Sequence, residues 1–275
     1  MNGLALNEYA AHLVGKSPHT VSGYRRAARA FLEQAGPPPF GTKPVLSYLS
    51  AISECNSPAS VATKTRALRH FLTWCARRDL CSPEAVELCV PPRFPRTRPT
   101  IATPEEVTTL MSAAPQRLRT PILLASALGL RESEIRTLRW GAVDLTPGLE
   151  CLTVIGKGSK LRALPIVDAG LVAYLKQHRG AADEYVWPGE CGSERHRSSF
   201  GKALGRLCEE VGLRHLNPHA LRHGFSQTCA VSGVSSAIIS RMLGHSSLHT
   251  TELYLQGLQD TETLRAGLQR VAVGG

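Results

Sequence analysis

Six residues of this 275-residue chain could together do chemistry on a phosphate ester: Arg131, Lys157, His219, Arg222, His245 and Tyr254. An arginine fork can hold two oxygens of one phosphate. Imidazole and ammonium groups move protons, and a phenol can act as a covalent nucleophile. Arg131 follows Gly129-Leu130 just beyond an apolar helix, where its fork can point into a cleft. Lys157 stands between Gly156 and Gly158, which let a nucleic-acid backbone approach closely. The GxxxxGK[ST] pattern is missing, so a nucleotide-binding P-loop is not indicated. His219 and Arg222 are three apart and share one helix face. Asn217-Pro218 opens that helix, whose free N–H groups favour an anion. His245 follows Gly244, which reads as a helix C-cap, and Tyr254 comes nine residues later. Taken singly, Arg131 reads better as a surface arginine, Lys157 as a solvated tip and Tyr254 as a core aromatic. His219, His223, His245 and His249 offer a metal site as a competing reading, but no carboxylate or cysteine partner stands at ligand spacing.

These residues must be positioned by helices and one hairpin. Thr103-Pro104-Glu105-Glu106 is a capped helix start with acids in the first turn. A largely apolar stretch from Pro121 to Leu128 is closed by Gly129. Cys151–Ile155 and Leu161–Ile166 read as two strands joined by the turn Gly156-Lys157-Gly158-Ser159-Lys160. Toward the N-terminus, Ser17-Pro18 and Ser57-Pro58 each read as an N-cap followed by proline at the first helical position. Val21, Tyr24, Ala28, Phe31 and Leu32 form one apolar stripe, flanked by Arg25, Arg26 and Arg29 and ended by Gly36 and three prolines. In the second helix Val61, Leu68, Phe71, Leu72 and Cys75 face inward, with Lys64, Arg66 and Arg69 on the polar side. A shorter helix lies between them, from Lys43 to Ser53.

The formal net charge is +10, and it is uneven: residues 1–100 carry 13 Lys and Arg against 6 Asp and Glu. Such an excess suits a polyanionic partner, because each neutralised phosphate releases counterions. Between Pro91 and Pro99 there are four prolines and three arginines, Arg93, Arg96 and Arg98. The prolines exclude a helix, and the arginines suit a strap lying on phosphates. The expected organisation is a basic helical domain over 1–90, a linker over 91–100 and a second domain over 101–275. No run approaches the length of a membrane span. The N-terminus lacks a secretory pattern, and none of the eight cysteines forms a CxxC pair. A reduced, cytoplasmic protein is expected.

Four segments together resemble the signature set of the tyrosine recombinases, the phage-integrase and Xer-type enzymes. They are Leu128-Gly129-Leu130-Arg131-Glu132-Ser133-Glu134, Val154 to Lys160 around Lys157, His219-Ala220-Leu221-Arg222-His223, and Leu243-Gly244-His245 with Tyr254. The resemblance covers essentially all of residues 100–256, and the N-terminal part is similar to the family's core-binding domain with weaker motifs. It implies a mainly α fold, with a helical core-binding domain and an α+β catalytic domain carrying a small antiparallel sheet. It also implies site-specific cleavage and rejoining of double-stranded DNA, with neither cofactor, metal nor ATP. Tyr254 would form a 3′-phosphotyrosyl link. Arg131 and Arg222 would clamp the non-bridging oxygens, Lys157 would protonate the leaving 5′-oxygen, and His219 and His245 would assist. Glu134 and His223 would orient this set. Exchange would run through a Holliday junction in a tetramer on paired sites, either of this chain alone or shared with a related recombinase. Gln256 departs from the histidine that relatives often carry, and no arm-binding domain is read ahead of the helical part. The alternatives are a type IB topoisomerase-like relaxing enzyme, a non-cleaving DNA-binding regulator, and a metal-dependent hydrolase.

Overall fold

A computed structural model of the chain describes residues 2–95, 98–156, 161–196 and 198–244. The chain divides between residues 97 and 98 into two compact units, each with its own core.

The described residues of the first unit form five helices: α1 (Asn2–His12), α2 (Pro18–Ala35), α3 (Thr42–Glu54), α4 (Pro58–Ala76) and α5 (Pro83–Glu87). The local chemistry explains the starts and stops. The Ser17 and Ser82 hydroxyls accept hydrogen bonds from the Thr20 and Ala85 amides, each with proline at the next position, as expected of an N-cap. Gly36, at φ 77°, ends α2 and donates its N–H to the Leu32 carbonyl. Of the expected stripe on α2, Ala28, Phe31 and Leu32 are fully buried, while Val21 and Tyr24 are half-buried. The core is largely aromatic. Tyr9 meets Phe71 edge-on at 4.9 Å, and Phe31 meets Tyr48 at 5.4 Å, contacts that add to plain area burial. Helix α1 was not anticipated, although Leu6, Tyr9 and Leu13 stand at helical spacing and all three are buried.

The second unit holds α6 (Pro104–Ala113), α7 (Gln116–Leu128), α8 (Glu132–Thr137), β1 (Val143–Asp144), β2 (Cys151–Ile155), β3 (Leu161–Pro165), α9 (Ala169–Gln177), α10 (Ser199–Glu210), α11 (Pro218–Val231) and α12 (Ser236–Leu243). Thr103 and Glu106 form the reciprocal capping box at the start of α6, satisfying two end donors at once. The strands form an antiparallel sheet in the order β1-β2-β3. The β2–β3 pairing runs from Cys151↔Pro165 to Ile155↔Leu161, so the expected hairpin is present up to its turn. The turn residues 157–160 lie outside the described residues. Leu152 and Val154 of β2 point into the core, where α7 supplies Ile122, Leu124, Ala125 and Leu128. The fold is therefore mainly helical with one small sheet, as the motifs implied.

Close packing in this unit depends on glycine. The backbone of Ala102 lies against α11, donating its N–H to the Ala220 carbonyl at 3.0 Å. A Cβ at Gly224 would sit 2.5 Å from the Ala102 carbonyl oxygen. Inside a helix, Gly→Ala normally stabilises by about 0.5–1 kcal/mol. Here the sign reverses, because backbone rather than a flexible side chain is in the way. Gly224→Ala is expected to destabilise the protein by about 1–3 kcal/mol, read as a lower midpoint in urea; an unchanged or raised midpoint would refute this packing.

Candidate active site

The described site is assembled around one carboxylate. Helix α7 ends at Gly129, at φ 64°, where a Cβ would lie 2.5 Å from the Phe225 ring and 2.7 Å from Leu243. Only glycine fits both that left-handed backbone and that space. The reversal delivers Arg131 as the N-cap residue of α8 and Glu134 in its first turn, where the helix dipole favours a negative charge. Glu134 is buried, at 4% exposure. One of its oxygens accepts from Arg131 Nη1 at 2.8 Å and from Arg162 Nη1 at 2.9 Å. The other accepts from the Arg131 amide at 2.9 Å and from Arg162 Nη2 at 2.8 Å. Arg222 Nη1 stands 3.9 Å away.

The same three arginines cap the end of α12. Arg162 Nε donates to the Met242 carbonyl at 2.8 Å, Arg222 Nη2 to that of Leu243 at 2.6 Å, and Arg131 Nη2 to that of Gly244 at 3.1 Å. Carbonyls at a helix C-terminus lack the next turn's amides as partners, and that end of the dipole attracts cations. Arg222 also donates to the Gly129 carbonyl, so the α7 reversal and the α12 terminus share one guanidinium. Gly244, at φ 62°, closes α12 as the expected left-handed cap.

Helix α11 begins at Asn217, whose side chain accepts from the Ala220 amide. It carries His219 and His223, with ring centres 6.2 Å apart, and Arg222 on the same run. His219 reaches solvent, yet the protein packed around it desolvates the ring, and the charges of Arg222 and Arg131 add to that effect. Together they hold its imidazole below the ordinary 6.5. A pKa lowered below 6.5 by this desolvation and by the two guanidiniums leaves His219 mainly neutral at pH 7, able to accept or pass on a proton. Glu132 lies near enough to oppose the shift, and one of its oxygens also accepts from the Phe200 amide at the start of α10.

The structure thus brings together Arg131, Arg222, His219 and Glu134, with His223 beside His219. Lys157, His245 and Tyr254 lie outside the described residues, as does Arg96 of the basic strap. Sequence reasoning missed Arg162. The signal was there: β3 alternates, and Arg162 falls on the same side as the buried Leu164, an unusual place for an unpaired charge. Among the described residues no three His, Cys, Asp or Glu side chains are grouped to hold a metal.

In the first unit, Arg25, Arg26 and Arg29 of α2 line an open groove with Lys16. Arg66 and Arg69 of α4 line another with Arg77, His12, Tyr24 and His70. Lys64 is half-buried and donates to Asn56 Oδ1 at 2.6 Å. Arg93 and Arg98 are exposed. Lys16, Arg77, His12 and His70 were not singled out by sequence, because only the fold places them beside the two arginine rows.

Burial works to raise the Glu134 pKa, but the hydrogen bonds from Arg162 and from Arg131 outweigh it and hold the carboxyl below its ordinary 4.5. A depressed folded-state pKa adds stability that is complete above 4.5 and is lost as pH falls from there toward the folded value. Glu134→Gln is expected to lose about 3 kcal/mol at pH 7 and to show a flatter acid limb below pH 4.5 than the parent. Denaturant titrations at pH 7 and pH 4 check both; equal losses at the two pH values would contradict the assignment.

Residues 101–260 match the phage integrase family. The tyrosine recombinase XerC of Xanthomonas campestris pv. campestris is 30% identical over 271 residues, covering 91% of this chain and 83% of its own length. The tyrosine recombinase XerA of Thermococcus kodakarensis is 32% identical over 252 residues, covering 88% of this chain and 86% of its own length. In fold the chain is similar to a lambda integrase fragment crystallised as a dimer bound to a COC′ core site. The TM-score is 0.75 at 17% identity, over 92% of this chain and 94% of that one. It is also similar to the XerH site-specific recombinase bound to its difH substrate, with TM-score 0.67 at 18% identity, over 90% and 79% of the two chains. With this match spanning the arginine site, the chain belongs to the phage integrase family of tyrosine recombinases.

Proposed function

We propose that this chain is a site-specific recombinase that cuts and rejoins double-stranded DNA through a 3′-phosphotyrosyl intermediate on Tyr254. The observation that carries the reading is the convergence of Arg131 and Arg222 on the single carboxylate Glu134 and on the end of α12, with His219 within the influence of both guanidiniums. Three guanidiniums face one carboxylate there, an excess of positive charge suited to the developing charge of a phosphoryl transition state.

In this mechanism the Tyr254 phenolic oxygen attacks the scissile phosphorus. The bond from phosphorus to the 5′-oxygen breaks, and the tyrosine–phosphorus bond forms. Arg131 and Arg222 hold the non-bridging oxygens. Lys157 gives its proton to the leaving 5′-oxygen, while His219 and His245 hydrogen-bond the phosphate and take up or pass on the phenolic proton. The phosphodiester is conserved as a phosphotyrosine, so rejoining needs neither ATP nor a redox partner. When the attacking 5′-hydroxyl comes from a second duplex, strands exchange and a Holliday junction follows. Four protomers on two paired sites supply the geometry for two such exchanges, and a related recombinase could fill some of those places. Residues 1–90 form the DNA-gripping domain with its rows Arg25–Arg26–Arg29 and Arg66–Arg69. Residues 91–100 are the basic strap with Arg93, Arg96 and Arg98, and residues 101–275 are the catalytic domain. The named DNA complexes of lambda integrase and XerH support a DNA partner for a chain of this fold. No described helix is long and apolar enough to cross a membrane, and a DNA substrate fits the cytoplasm.

A nicked suicide substrate, which loses its 5′-hydroxyl fragment after cleavage, tests the reading. The protein should become covalently joined to DNA in the presence of chelator. Tyr254→Phe should bind the same DNA within about twofold and give no adduct; an undiminished adduct from that variant overturns the nucleophile. Binding should also weaken steeply with salt. If some six arginines of the first unit meet phosphates, the log–log slope is about −5, and a flat salt dependence would remove them from the interface.

A further inference from the structure

Arg162 is given no step in the scheme above, yet its side chain is fully engaged at the site. It lies on β3, paired across the sheet with Val154, and its side chain is 12% exposed. All three guanidinium nitrogens donate within the protein. Nη1 and Nη2 grip the two oxygens of Glu134, at 2.9 and 2.8 Å, and Nε reaches the Met242 carbonyl at 2.8 Å. Gly244 is packed against it so closely that a Cβ there would sit 3.0 Å from Arg162 Nη1.

This geometry ties three separate pieces of chain to one planar group. A parallel fork fixes not only the position of the Glu134 carboxylate but also its plane. That carboxylate in turn holds both the amide and the guanidinium of Arg131. The Nε bond fixes the last turn of α12, whose next two carbonyls hold Arg222 and Arg131. Without the fork, Glu134 is free to swing toward Arg131 and Arg222, and the end of α12 loses one of its three caps. Both phosphate-facing arginines then shift. Displacing a reacting group by about 1 Å can cost on the order of a hundredfold in rate.

We infer that Arg162 is a positioning residue for strand cleavage: through Glu134 and the terminus of α12 it sets Arg131 and Arg222 in register with each other. This rests on the strand-cleavage reading given above. It does not require Arg162 to touch DNA. Lysine keeps the charge beside Glu134 but can form neither the fork nor the additional Nε bond, so Arg162→Lys tests geometry without leaving a buried carboxylate unpaired.

The test is single-turnover cleavage of the suicide substrate at saturating protein, alongside DNA affinity and thermal midpoint. The parent protein must form adduct; if it does not, the strand-cleavage reading falls and this proposal with it. Given adduct from the parent, Arg162→Lys should cleave about 10- to 100-fold more slowly while binding DNA within about twofold. In a Glu134→Gln background the same substitution should cost less than about threefold, because residues that act through one another are not additive. Arg162→Gln provides a second variant and should behave in the same way if the lysine protein is poorly folded. A cleavage rate equal to the parent's would overturn the proposal while leaving the strand-cleavage reading intact. So would an equal fold-loss in both backgrounds, which would make Arg162 only part of the scaffold.

Discussion

A buried carboxylate shared by three arginines is the constraint on which the second unit turns. Glu134 is desolvated, which alone would favour its neutral form, and only the density of donors around it keeps it charged. Taking such charges out of water is costly unless every lone pair is matched. Both Glu134 oxygens accept two hydrogen bonds each, which offsets that cost. The arrangement also leaves positive charge in excess, since one carboxylate cannot neutralise three guanidiniums. The site is held together by an anion of its own and still has attraction left for another.

The supporting elements follow from that hub. Gly129 lets α7 turn back against Phe225 and Leu243, which places Arg131 and Glu134 one helical turn apart at the start of α8. The α11 N-terminus sets His219 and Arg222 on one face, and β3 brings Arg162 to the same carboxylate. The carbonyl end of α12 then receives one donor from each arginine. Elements far apart in sequence thus meet through charge-assisted bonds as well as through the apolar contacts of Phe225, Ile239 and Leu243. The hydrophobic core behind them, from Ile122 and Leu124 to Leu221, keeps their directions fixed.

The first unit solves a different problem. Most of its basic side chains are exposed and repel one another, so their spacing has to come from a stiff framework. The interlocking rings of Tyr9, Phe31, Phe71 and Trp74 provide it. Tyr9 is joined to His70 by a hydrogen bond at 2.8 Å, which links the anchor of α1 to the helix that carries Arg66 and Arg69. Burial, then the charges of Lys16, His12 and Arg77, hold the His70 imidazole below its ordinary value.

Much of this was legible in the residues themselves. Caps at Ser17, Thr103 and Asn217, the left-handed glycines 36, 129 and 244, and the hairpin strands either side of Gly156 are local effects, decided within a few residues, and they marked element boundaries well. The four motifs in order were enough to indicate the family and a mainly helical fold. What local chemistry could not decide was partnership. Arg162 carries no local sign of its carboxylate, 28 positions away, nor of the α12 carbonyl 80 positions away. Likewise Lys64, expected on a phosphate-facing side, is turned onto Asn56. Sequence by itself determined which segments curl, where they stop and which groups could do chemistry, because those follow from backbone and side-chain stereochemistry nearby. Only the tertiary structure decided which charges share one buried anion, because desolvation and ion pairing depend on distances that chain order does not set.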